Sequence, residues 1–372
     1  MDDKPELTQS RLKQDTRYLR QHPDDTSSPA YRDCLQWRFE HERFLTECLS
    51  LLRKATGDMP GVVCAARLKR MDSILKKIRR SPYSIRDMRD IAGCRVIVPD
   101  MRGLKEARER IEEAFRTESL DSQFKDYISQ PEESGYRGVH WDLRKKGKPC
   151  DRAEVQLRTM KQHLWATTVE TAGLLYGTDF KHASELGDDV HGETIAGLLR
   201  DMSLCWIAAD ELRQCPDASD LERFRSELQT PEADDFSTKL RVFAEQPTDI
   251  SEETETNSQN GGLYVLIFSS EDNTVRRQTF PMDRIEDAIE AFNQAEAAGS
   301  VTERRKGADE TAVMEYNSVL VAAPDEKSLA LAYPNYLGGS EACDDRFSLT
   351  KEAALNWIET GDEHPPKTGP AC

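Results

Sequence analysis

Residues 93–100 read GCRVIVPD. A β-branched run this short, closed by Gly93 and Pro99, is a buried strand. Residues 103–116 then return to helical spacing. The segments FKDYI, YRGVHWDLRKK and DRAEVQLRT are strand-like, the last alternating with period two. A helix is expected from about Met160 to Tyr176, with Trp165, Val169, Ala172 and Tyr176 on one face. Further helix is expected to about 215 and over 219–229. Strands separated and followed by helices give this part of the chain α+β character.

The flanks are less ordered in pattern. Residues 1–29 are polar, with HPDDTSSP as a loop, and read as a disordered N-terminus. Residues 31–55 carry Phe44, Cys48, Leu51 and Leu52 at i, i+4, i+7 and i+8, one helical face. Residues 62–80 read as a second, basic helix. Past 230 the composition shifts. Residues 231–372 hold 28 acidic and 12 basic side chains, whereas residues 1–230 hold 40 and 39, so the net charge of −17 belongs to the tail. Residues 231–262 read as an acidic linker. Residues 263–372 then read as a separate small α/β domain in the order β-β-α-β-α, its role open. The domain between the flanks is placed at 30–230.

Several classes are excluded or disfavoured. No run approaches the roughly eighteen apolar residues a membrane helix needs. The first twenty residues are charged and carry no apolar core of a secretory signal. None of the nine cysteines forms a C-x-x-C pair, so a zinc site or redox dithiol is not expected, and a reduced, cytoplasmic setting is.

The middle of the chain gathers chemistry. RLKRMDSILKKIRR (67–80) holds seven basic residues and one acidic, a cationic face suited to phosphate; a solvated helix face is the ordinary alternative. Asp90 precedes the 93–100 strand and Glu154 lies within AEVQLRT. Two carboxylates beside strands can hold Mg²⁺, which takes one or two protein carboxylates and leaves its other positions to water and phosphate. Tyr136 and His140 lie in GYRGVH, where a tyrosine offers a flat face to a nucleobase. By themselves these residue types point to a Mg²⁺-dependent enzyme acting on nucleotides.

In order along residues 60–176, four elements resemble the synthetase domain of the RelA/SpoT family: RLKRMDSILKKIRR, RDIAGCRVIV, DYISQPEESGYRGVH and AEVQLRTMKQHLWATTVE. The resemblance covers about a third of the chain. It implies a nucleotidyltransferase-like mixed sheet and transfer of the pyrophosphoryl group of ATP to the ribose 3′-hydroxyl of GDP or GTP, giving (p)ppGpp, with Mg²⁺ and release of AMP. It places Arg67, Lys69, Ser73 and Lys76 on ATP, with Asp90 as a metal ligand and Glu154 as a second ligand or the base. Tyr136 would stack on the acceptor guanine, with His140, Gln156 and Arg158 nearby. Arg137 is the weaker member, because period two turns it away from Tyr136 and His140.

The pattern departs from the family at Glu132, where a lysine is usual, and no His-Asp hydrolase pair is found. Three readings follow. The first is a GTP pyrophosphokinase. The second is a toxic small synthetase acting on the tRNA 3′ end or making adenosine alarmones, with the acidic tail as an antitoxin-like shield. The third is a non-catalytic nucleotide sensor. Homo-oligomerisation, frequent among small members of the family, is left open.

Overall fold

The computed structural model describes residues 7–147, 149–178, 180, 190–214, 216–244, 248–249, 262–269, 274–303, 316–333 and 355–360. The expected linker stretch 250–261 lies outside these residues. Three N-terminal helices lead: α1 (Gln9–Gln21), α2 (Pro29–Glu40) and α3 (Glu42–Thr56). The N-terminal segment is therefore not disordered over 9–21. Thr8 caps α1 by accepting from the Arg11 backbone, and Leu12, Thr16 and Leu19 are buried. These few inward residues suffice because Arg20 also donates to the carbonyls of Ile78 and Ser81, each at 2.9 Å. The expected helix over 31–55 is two helices, broken at His41, whose buried ring bonds back to the Trp37 carbonyl.

The expected basic helix over 62–80 is corrected to β1 (Val63–Leu68) followed by α4 (Met71–Arg80). Residues 63–66 are all buried, which suits a central strand covered on both faces. Then come β2 (Ala92–Val98), α5 (Met101–Thr117), β3 (Asp121–Asp126), β4 (Val139–Arg144) and β5 (Arg152–Thr159). Next are α6 (Met160–Tyr176), α7 (Val190–Asp201), a π-helical turn at Met202–Ile207, α8 (Ala208–Leu212), α9 (Ala218–Leu228) and α10 (Pro231–Ala244). A capping box between Thr159 and Gln162 starts α6 at the end of β5. The first fourteen residues of the expected linker are thus the helix α10; the buried Ala233 and Phe236 anchor it in the cluster around Trp165.

The C-terminal elements are β6 (Thr248–Asp249), β7 (Gly262–Ser269), β8 (Thr274–Pro281), α11 (Ile285–Glu303), β9 (Tyr316–Ala323) and α12 (Glu326–Ala332). From β7 onward they follow the expected β-β-α-β-α order, but not as a detached domain. One nine-stranded sheet runs β3-β4-β5-β2-β1-β9-β7-β8-β6. The joint is β1 with β9, antiparallel, through Ala66↔Ala322 and Arg67↔Val321. Among the described strand pairs, only β2–β5 and β6–β8 are parallel.

Strand parity divides the two faces. Cys64, Ala66, Leu68, Val96, Val155 and Leu157 point to the back, where they pack with Phe44, Leu52, Ile111 and Phe292 from α3, α5 and α11. The front face is apolar at β1, β9 and β7, where α12 covers it. Toward β5 and β4 it turns polar, and the site residues gather there. Among the described residues no helix is long and apolar enough to cross a membrane.

Candidate active site

Register fixes which side chains meet. Arg67 on β1 faces Gly93 on β2, Gly93 faces Glu154 on β5, and Glu154 faces Asp142 on β4. One register step along, Arg95, Gln156, His140 and Lys125 form the next row. Gly93, the β2 neighbour of Glu154, carries no side chain, so the first row is open between Arg67 and Glu154. Asp90 lies just before β2, at the same end of the parallel pair β2–β5.

Asp90 is held by two lysines. Lys69 Nζ meets one carboxylate oxygen and Lys77 Nζ the other, each at 2.9 Å. Burial alone would raise the Asp90 pKa; the two ammonium groups outweigh it and hold the carboxyl well below its ordinary range. Lys69 itself is pushed down by burial, in part offset by Asp90. Ser73 is half-buried one turn before Lys77. Lys76 is not brought to the site: it is exposed and pairs with Asp72 on its own helix at 2.9 Å. The signal for Lys77 was in the sequence. Met71, Ile74 and Ile78 mark the inward side of α4, and Lys77 shares a face with Ser73 at i, i+4.

Glu154 closes a five-residue ring. His140 Nδ1 lies 3.3 Å from Glu154 Oε1, and His140 Nε2 meets the Tyr136 hydroxyl. Arg158 Nε donates to that hydroxyl at 2.9 Å, and Arg158 Nη2 donates to Gln156 Oε1 at 2.7 Å. Gln156 Nε2 returns to Glu154 Oε2 at 2.6 Å. Burial pushes Glu154 up, but the bond and charge of His140, with the Gln156 amide, bring it down to about 2 from the ordinary 4.5. A depressed folded value contributes stability that is complete above 4.5 and lost as pH falls through about 2. Wild type is therefore expected to lose more stability than Glu154→Gln across that window. Thermal melts of the two proteins from pH 5 to 2, on the order of half-unit steps, read the difference; parallel curves would remove the assignment.

Tyr136 is half-buried, and the Arg158 guanidinium lies 4.8 Å from its ring centre. Burial pushes its hydroxyl up to about 12, so it stays protonated. A turn presents it: Gly135 N donates to the Glu132 carbonyl and Glu132 N to the Tyr136 carbonyl, at 2.8 and 3.2 Å. Gly135 has φ +90°, and Ser203 of the π-helical turn donates to its carbonyl. A Cβ at Gly138 would lie 2.9 Å from the Tyr136 hydroxyl, so only glycine lets the ring fold over the strand. Arg137 precedes β4, which begins at Val139, and its side chain is turned to the Ile128 carbonyl, away from Tyr136. It is buried and donates to the Ile128 carbonyl at 2.7 Å. The Glu132 side chain is exposed at the rim.

Two residues were missed. The Tyr127 ring centre is 5.0 Å from His140 and 5.7 Å from Tyr136, and Lys125 Nζ donates to the Tyr127 hydroxyl at 3.3 Å. Arg95 forms the far wall: it donates to the Ala332 carbonyl at 3.0 Å and lies 5.4 Å from the Tyr333 ring centre. His163 is buried there on the Leu331 carbonyl and, desolvated between Arg95 and Arg158, is held neutral. Nothing in the pattern of 326–333 announced contact with residue 95.

The polar face of the α+β sheet thus sets two ionised carboxylates among lysines, arginines and aromatic rings. Residues 66–180 match the family model described as the region found in RelA / SpoT proteins. An uncharacterized protein of Mycobacterium tuberculosis is 29% identical over 155 residues, 41% of this chain and 54% of that one. The chain thus spans about half the length of the first curated relatives it matches. GTP pyrophosphokinase YjbM of Bacillus subtilis is 28% identical over 145 residues, 37% of this chain and 68% of that one. The small alarmone synthetase 1 of Bacillus subtilis, solved with its product pppGpp, is similar at 23% identity and a TM-score of 0.36, over 54% of this chain and 98% of that one.

Proposed function

We propose that the chain is a pyrophosphokinase that moves the diphosphoryl group of ATP to the 3′-hydroxyl of GDP or GTP. The observation that carries the reading is the pair Asp90 and Glu154, both held ionised within one polar face, the first by Lys69 and Lys77 and the second by His140. The family match over 66–180 and the named activity of the Bacillus relative support it.

The acceptor oxygen attacks the β-phosphorus of ATP. The new O3′–P bond forms, the bond from Pβ to the α-phosphate oxygen breaks, AMP leaves, and the hydroxyl proton passes to the Glu154–His140 pair. Lys69 and Lys77 neutralise phosphate oxygens, and most of the catalysis is positioning and charge stabilisation. Asp90 and Glu154 fit Mg²⁺: both are oxygen donors, and the Asp90 charge is felt at Glu154. Among the described residues no cluster of three or more ligating side chains forms a protein-only cage, which leaves the remaining positions to water and phosphate. Bound there, the metal would supply charge neutralisation to the diphosphoryl group. A carboxylate as weakly basic as Glu154 suits metal holding and hydroxyl orientation better than unaided proton abstraction.

Labelled ATP with Mg²⁺ and GDP, GTP, ATP or bulk tRNA tests the reading by which acceptor gains label. Label on GDP or GTP is expected. Label on tRNA or ATP alone would move the chain to the alternative acceptors, and none at all would leave a nucleotide sensor. Tyr136→Ala is expected to raise the acceptor KM about tenfold, the scale of a lost base stack, with the ATP KM little changed. Initial rates with each substrate varied check this, and equal effects on both would argue against stacking on the acceptor.

A further inference from the structure

Three arginines converge on a single carboxylate beside Glu154. Arg89 Nη1 is 3.1 Å from Asp142 Oδ2, Arg144 Nη2 is 3.0 Å from the same oxygen, and Arg152 Nη2 is 3.5 Å from both oxygens. Arg89 also donates to Gln123 Oε1 at 2.8 Å. One carboxylate satisfies one guanidinium fork; the other positive charges are in excess. Arg152 is 8% exposed and its Nε finds no acceptor among the described residues. Arg89 and Arg144 are about half open to solvent, at 51% and 41% of the side chain. The hairpin continues the charge through Lys145 and Lys146. Lys145 is engaged by Glu47 at 2.9 Å.

Position gives the cluster its meaning. Asp142 is the register partner of Glu154, and parity puts Arg152, Glu154, Gln156 and Arg158 on one face of β5. Arg158 and Tyr136 lie on one side of Glu154. Arg152 lies on the other, two residues or about 7 Å along the strand. A nucleoside with its base at Tyr136 and its 3′-oxygen at Glu154 has whatever is joined to that oxygen next to the arginines.

We propose that Arg89, Arg144 and Arg152, seated on Asp142, bind the terminal phosphate of the diphosphoryl group, first as the γ-phosphate of the donor and then as the outer phosphate of the 3′-diphosphate product. The inference rests on the pyrophosphokinase reading. Asp142 holds the three forks side by side, and the buried Arg152 fixes the floor. The phosphate brings the negative charge that one carboxylate does not supply.

The test uses the full chain with Arg89→Gln and Arg144→Gln, singly and combined, since both residues are exposed and thermal melts report whether the fold is kept. Binding of inorganic pyrophosphate with Mg²⁺ is read by calorimetry, and the KM values for ATP and for the acceptor by initial rates. The combined variant is expected to weaken pyrophosphate binding and raise the ATP KM by about tenfold or more, the scale of one charged hydrogen bond, with the acceptor KM within about twofold. Unchanged pyrophosphate affinity would overturn the proposal. A rise confined to the acceptor KM would also overturn it, because the seat would then hold an acceptor 5′-phosphate. If the combined variant does not fold, Arg144→Gln alone decides by the same readings. Pyrophosphate binding needs no turnover, so this outcome stands apart from failure of the transfer assay.

Discussion

Glu154→Gln is expected to lower transfer by about 10³-fold or more, in the range that a positioned acid–base or charge-stabilising group contributes. The substitution keeps the shape of the side chain and an oxygen for the Gln156 amide, which now donates at 2.6 Å. What it removes is the charge. That charge holds His140 at 3.3 Å and, in the proposed mechanism, the metal and the acceptor hydroxyl. Because the His140 and Gln156 contacts outweigh burial, the ionised Glu154 stabilises the fold at neutral pH, and the substitution gives up that contribution. The melting temperature at neutral pH is therefore expected to fall by about 5–10 °C, a change on the order of 2–3 kcal/mol, with the fold retained. Single-turnover transfer of label from ATP, beside a thermal melt, checks both parts. Residual activity within about tenfold of wild type, or about 1.4 kcal/mol in barrier height, would exclude Glu154 from metal holding and from catalysis.

The site was legible where spacing carries geometry. Period two along AEVQLRT placed Glu154, Gln156 and Arg158 together, and the structure joins them by two hydrogen bonds. Arg137 is also directed away from Tyr136, onto the Ile128 carbonyl, although it lies just before β4 rather than in it. The resemblance pointed to Lys76, whereas helix phase, defined by the buried Met71, Ile74 and Ile78, brings Lys77 to Asp90. The strand at 63–68 was hidden by Arg67 and Lys69, which extend the basic character of α4 back across a segment that is buried at four successive residues. Contacts between distant segments left no local trace. The Arg95 bond to the Ala332 carbonyl spans 237 residues, and Arg38 pairs with Glu296 across 258. Net charge misled in the same way, because acidity marks exposed faces and is silent about the apolar strands between them. The buried Val265, Leu266, Val319 and Val321 lie within the stretch that reads as an acidic tail.

Removal of residues 245–372 is expected to abolish cooperative folding of the remaining chain rather than release an active synthetase. The cut takes away β9, the antiparallel partner of β1, so the strand carrying Arg67 becomes an open edge with Val63 and Ala65 uncovered. It removes Phe292 and Leu263 from the back core and Tyr264, Leu266, Val319, Val321 and Leu329 from the front. Each such side chain contributes about 2 kcal/mol when fully buried, and together they match the whole stability of an ordinary domain, about 5–15 kcal/mol. Polar losses add to this. Arg38, wholly buried, loses Glu296 at 2.7 Å and Asn293 at 2.7 Å, and the backbone N–H of Met71 loses the Glu296 carboxylate that caps α4. A buried arginine stripped of its anion costs several kcal/mol, on the order of 3–5. Gel filtration and near-ultraviolet circular dichroism of the 1–244 fragment check the expectation. A monomeric fragment with a sharp melt and unchanged transfer would mean that the acidic segment is separable after all, and only then would a detachable, shield-like role for it be tenable. The structure instead builds the tail into the sheet that carries the site, so its acidic surface is the outer side of a load shared with β1 and α4.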